Sequence, residues 1–240
     1  MLLERQTLSC SRRHSFTRHI NIEHGRPLSQ LGAAVLFYYK IKKGDMTKLC
    51  ESIISRDIAT DCDKMVVRGL ESDGVIINRN DIDFGATVFD TTNPNIIKAI
   101  VLKSGKTGYK VAQLGNTPFT GTQSTLNVGT YRNTWTHKLP LAVLENTPDA
   151  CANVIDGLAN GQFVVILRNR QKTDKAEYQI YGYAQGLVAS EGANEKYSES
   201  TDGGWLITLQ EVNTPKCALF LFDTDAKTTA AKYGSLTTGV

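Results

Sequence analysis

Any histidine-dependent acid–base or nucleophilic chemistry in the body of this chain would have to use His137. The chain has four histidines, and the other three, His14, His19 and His24, crowd into the first 45 residues. A Ser-His-Asp or Cys-His site needs an imidazole that can take and return a proton near neutral pH, so it would be built on His137. The sequence has no Gly-x-Ser-x-Gly elbow, no histidine pair at metal-binding spacing and no dinucleotide fingerprint. His137 lies in the Thr-rich run Trp135-Thr136-His137-Lys138, which predicts an extended segment with the imidazole at the surface or in an interface.

The other chemically capable residues read as turns and thiols. Gly105-Lys106-Thr107 has the ending of a phosphate loop, but Ile100 stands where the loop's first glycine belongs, and a strand pattern follows where a helix N-terminus is needed. Asp61/Asp63 and Asp81/Asp83 could meet a cation, yet neither pair has the glycine and terminal glutamate of a calcium loop. Cys10, Cys50, Cys62, Cys151 and Cys217 are odd in number and widely spaced, which predicts reduced thiols and argues against a disulfide framework or a zinc site. Tyr131, Trp135, Tyr181, Tyr183 and Trp205 could form the aromatic platform of a ligand- or carbohydrate-binding module, although their spread through strands favours core packing. No catalytic, cofactor-binding or metal-ligating residue is assigned, and a non-enzymatic protein is expected.

Apolar residues come in bursts of five to eight between Gly, Asn, Asp and Ser, the pattern of strands. Val66-Val67 is expected to form a short strand ended by Gly69, and Gly74 to Asn78 another, with Phe84 to Phe89 continuing in β-type composition. Ile96 to Lys103 and Tyr109 to Leu114 flank a five-residue loop with two glycines and are expected to pair as a hairpin. Residues 115–135 read as a long surface loop with short extended pieces, and 190–204 as a polar loop without core residues. The best helix starts at Thr147 as N-cap with Pro148 at its first position. Cys151, Val154, Ile155 and Leu158 would form its apolar face, and Gly161 would stop it. Phe163 to Leu167 (FVVIL) is the mark of a central strand buried on both faces. Tyr178 to Tyr183 is a strand in which Gly182 signals a bulge or a close backbone contact. Trp205 to Leu209 and Cys217 to Phe222 complete the set, ahead of a polar, Thr/Ala-rich tail.

Residues 1–45 and 46–240 differ in charge. The first segment holds eight Lys/Arg against three Asp/Glu, a balance of +5, leaving 19 against 21, or −2, for the remainder. The basic character therefore belongs to the N-terminal segment, and nothing after it predicts dense phosphate neutralisation. The apolar run Leu31 to Tyr39 is far short of the ~20 residues of a membrane helix, and it comes too late for a signal peptide. Residues 1–45 are expected to be a non-native or disordered extension, translated from upstream of a start at Met46. Residues 46–240 are expected to form a single β-rich domain.

The order of segments carries a resemblance. LKSGKTGYKV precedes a Thr/Gly-rich loop; a helix ending GLANGQF leads into FVVILRNR; YQIYGYAQGLVAS and a polar loop precede GGWLITLQE. Over residues 46–225, and most closely from Gly157 to Glu211, this resembles structural proteins of tailed phages that infect Bacteroidetes, of the tail-tube-like type. The resemblance implies a mainly β fold with one flanking α-helix, a β-sandwich or partly closed barrel. It further implies self-association into rings, commonly hexameric, that stack with like or neighbouring tail proteins around a lumen. DNA would pass through that lumen without sequence-specific binding, and no membrane or cofactor is implied. The expected location is the virion tail or neck, after synthesis in the bacterial host cytoplasm. A capsid decoration or baseplate protein is the alternative within the structural class.

Overall fold

The computed structural model describes residues 54, 56–58, 62 and 65–238. The chain divides into two compact units, Met1–Ala59 and Thr60–Val240. Of the first, the described residues carry no helix or strand. The expectations for residues 1–45, the start at Met46, Cys10, Cys50 and the Asp61/Asp63 pair lie outside the described residues.

The second unit is a β-sandwich. Its larger sheet holds β1 (Leu70–Asn78), β2 (Val88–Phe89), β3 (Ile96–Ala99), β4 (Tyr109–Ala112), β7 (Phe163–Asn169), β8 (Tyr178–Tyr181) and β11 (Leu219–Leu221), in the order β2-β3-β11-β8-β7-β1-β4. The smaller sheet holds β5 (Gln123–Asn127), β6 (Thr134–Val143), β9 (Val188–Asn194) and β10 (Trp205–Thr214), in the order β5-β6-β10-β9. All pairings are antiparallel except β11 with β3. Helix α1 spans 148–160 and helix α2 is Ala226–Ser235.

Strand β7 explains the two-sided core. Its FVVIL run is buried throughout, between β1 and β8. Successive strand side chains point to opposite faces. Phe163, Val165 and Leu167 therefore face the smaller sheet, where they join Leu139, Leu141, Ile207 and Leu209. Val164 and Ile166 face the other way and join Val75, Ile77, Ile180 and Leu221. That second face is closed by Tyr233 and Leu236, in and just beyond α2. The expected single flanking helix is thus corrected to two. The tail helix lacks an obvious apolar face, but Asp225 caps it by accepting from the Thr228 N–H at 2.8 Å.

Local signals held where they specified local geometry. Thr147 caps α1, its Oγ1 accepting from the Ala150 N–H at 3.1 Å, with Pro148 in the first turn. Gly182 has φ +83°, and a Cβ there would lie 2.4 Å from the Phe163 carbonyl oxygen, so the close backbone contact is real. Gly161 ends α1 in an extended conformation, not a left-handed one; its missing Cβ makes room for the Phe163 ring, which would otherwise sit at 2.2 Å.

Several longer-range expectations fail. Strands β3 and β4 do not form a hairpin: they lie on opposite sides of β11, β8, β7 and β1, and β4 pairs with β1. The loop between them turns at Gly105, with Lys106 N–H donating to the Lys103 carbonyl, but the chain then crosses the sheet instead of doubling back. Val66 and Val67 are exposed and outside any strand, and β1 begins after Gly69. Segment 115–135 contains all of β5, and β9 runs on through Asn194 into the expected polar loop. Inside α1, Cys151–Ile155 is a π-helical turn. It carries Ala150, Ile155 and Leu158 inward and leaves Val154 41% exposed, so the expected face is rotated.

Candidate functional site

The singled-out turns are occupied by their own structure. Lys106 pairs with Asp81 at 3.3 Å, and Asp83 Oδ1 accepts from the N–H groups of Gly85 and Ala86 at 3.0 and 3.1 Å. Cys62, Cys151 and Cys217 form no disulfide. Among the described residues no group of three or more His, Cys, Asp or Glu is placed to hold a metal ion. No helix among them is long and apolar enough to cross a membrane. The five aromatic residues are not gathered into a platform. Tyr131 stands fully exposed on the β5–β6 loop, Tyr181 is buried between the sheets, and Tyr183 packs edge-on against Phe84 and Phe89 on the other side of the larger sheet.

His137 departs most from expectation, because it is 4% exposed and therefore no surface residue. The register explains the burial. Ser124 on β5, His137 on β6 and Glu211 on β10 are direct cross-strand partners in one row of the smaller sheet. Their side chains share the inner face. Nδ1 of His137 lies 2.7 Å from Ser124 Oγ, and Nε2 lies 3.2 Å from Thr214 Oγ1 and 3.3 Å from the Lys216 carbonyl oxygen. A carbonyl only accepts, so the proton sits on Nε2 and the Ser124 hydroxyl donates to Nδ1. The ring also meets Tyr181 edge-on at 5.9 Å. Burial pushes the imidazole pKa down, and the Glu211 carboxylate and Lys216 carbonyl only partly oppose this. Burial also pushes the Tyr181 phenol up, keeping it neutral.

Glu211, 3% exposed, does not orient the imidazole as a triad carboxylate would. One oxygen accepts from the Gly182 N–H at 3.0 Å and the other from the Gln185 N–H at 2.6 Å. Those amides lie in the corner between β8 and β9, where the chain passes from the larger sheet to the smaller. Phe163 and Leu187 bridge the same corner with two backbone hydrogen bonds of 2.9 and 2.8 Å. The row therefore works as a polar clasp: Glu211 holds the corner, and His137 holds β5 and the turn after β10.

The larger feature is an open groove of about 1640 Å³ along one flank of the sandwich. It runs between β4 with its following loop, the end of β6, α1 and the adjoining part of β10. Tyr109, Leu114, Leu144, Val154 and Leu206 line it and are all exposed. A small-molecule pocket measures roughly 300–1,000 Å³ and encloses its ligand. This groove is larger and is built from side chains that no sequence motif connects. The π-helical turn contributes directly, because it turns Val154 out of the core and into the groove. Comparison with known proteins finds no matching family model, curated protein or solved structure.

Proposed function

We propose that the chain is a structural protein of a tailed-phage virion that works by self-association, as a tail-tube or neck/ring component around a DNA-conducting lumen. The observation that carries this reading is the groove: five large apolar side chains stay in water on one flank of a domain whose two cores are filled by others. An exposed apolar patch of that kind marks an interaction surface. Burying each such side chain contributes about 1.5–3 kcal/mol. The sheet borders point the same way, since β4, β5 and β9 end their sheets and carry mostly exposed residues. The charge balance of −2 over residues 46–240 suits a lumen that lets DNA slide past, because it supplies no excess of cations to hold phosphate.

Negative-stain microscopy and light scattering on the full chain at rising concentration test the proposal. Rings or tubes of uniform diameter are expected. A monomer that persists at the highest attainable concentration refutes it.

A further inference from the structure

We propose that the groove receives the tip of the β5–β6 hairpin of a second copy, so that subunits join head to tail. This rests on the self-association reading above and names the partner segment. The tip, residues 128–133, carries Val128 at 84% and Tyr131 at 100% exposure. Two large apolar side chains so fully in water on one short loop form a knob without a socket on its own face of the molecule.

The knob and the Leu144–Leu206 part of the groove sit at opposite ends of β6. The last pair joining β5 to β6 is Asn127 with Thr134, and the tip lies beyond it. Leu144 lies just past the other end of β6, and Leu206 is on the β10 strand paired there, opposite Ala142. The lining begins at the paired Gln123 and Lys138, but at about 3.4 Å per residue Thr134 to Val143 spans roughly 30 Å, so a tip cannot reach the Leu144 and Leu206 part of its own groove. A second copy is the partner that offers the knob in unlimited supply. Arg132 is the only charged residue of the tip, and Glu145 stands exposed at the Leu144 end of the groove, while the cations elsewhere in the lining are Lys110 and Lys138, the latter paired with Glu191 at 3.2 Å. Contact between two different patches of identical chains is heterologous, so it closes into a ring or continues as a filament according to the rotation between neighbours.

Two double variants of the full chain test this. V128D/Y131D removes the knob, and L144D/L206D spoils the groove; all four positions are exposed, and circular dichroism with thermal melting checks that both variants keep the fold. Each variant alone is expected to need about tenfold or more higher concentration to associate, as when a central interface anchor is lost. Mixed in equal amounts, they are expected to form a one-to-one heterodimer and nothing larger, because each supplies the half that the other lacks. The inference is overturned if either variant alone associates like the unmodified chain, or if the mixture stays monomeric while the unmodified chain assembles. In those cases self-association stands and another surface carries it. An unmodified chain that never associates overturns both.

Discussion

Replacing Glu211 by glutamine isolates the clasp between the two sheets. The change keeps shape and volume but turns one of two acceptor oxygens into an NH₂ donor. Both oxygens of Glu211 are occupied, by the N–H groups of Gly182 and Gln185. One of those amides would then face a donor. A hydrogen bond to a charged group contributes about 1.5–3 kcal/mol, and an orphaned buried N–H costs about 1–3 kcal/mol. The expected loss for E211Q is about 2–4 kcal/mol, which lowers the melting temperature by roughly 5–15 °C for a domain of this size. Urea denaturation should show a lower midpoint with an unchanged slope, because the unfolded surface stays the same. A second readout comes from His137. The Glu211 carboxylate favours the protonated imidazole, so its removal should lower the His137 pKa further, as followed by NMR of the ring protons. A stability loss below about 1 kcal/mol, together with an unmoved His137 titration, would refute the clasp.

Two further outcomes follow from the same geometry. Ile155→Ala should cost about 2–5 kcal/mol by leaving a cavity between the sheets, whereas Val154→Ala should stay within about 0.5 kcal/mol; comparable losses at both positions in parallel denaturant titrations would point to a regular α-helical face in place of the π turn. Because the folded His137 pKa lies below its unfolded value of 6.5, the unfolded chain binds the extra proton first, so stability should fall as pH drops below about 6.5 until the folded imidazole itself titrates. Thermal melts between pH 7.5 and 5 check this, and a His137→Gln variant should lose part of the slope.

How much of this was legible in the sequence depended on how local each cause was. FVVIL announced a central strand because five consecutive apolar residues can only be buried from both sides. Thr147 and Pro148 announced a helix start because capping is settled within four residues. The five-residue glycine loop announced a turn equally well, but nothing in it says which strand the chain meets next, and β4 found β1 instead of β3. The π turn was invisible because Cys151, Val154, Ile155 and Leu158 fit an ordinary helical face; the tertiary packing of Ala150 and Ile155 decided the rotation. His137 misled for a related reason. Its neighbours in sequence are Thr, Trp and Lys, whereas its neighbours in space come from β5 and β10, and only the register brings Ser124 and Thr214 to its ring. The groove likewise has no linear signature, since its five apolar walls lie on four separate segments.

The place of β11 in the larger sheet governs how the chain can fold as it is made. Strands β2 and β3 reach the rest of that sheet only through β11, which is synthesised after every other described strand. Until then, Ile96 and Ile97 have no neighbour on one side, and the free edge of β8 stays open beside them. A chain cut short before Leu219 therefore loses the anchorage of three strands, not one.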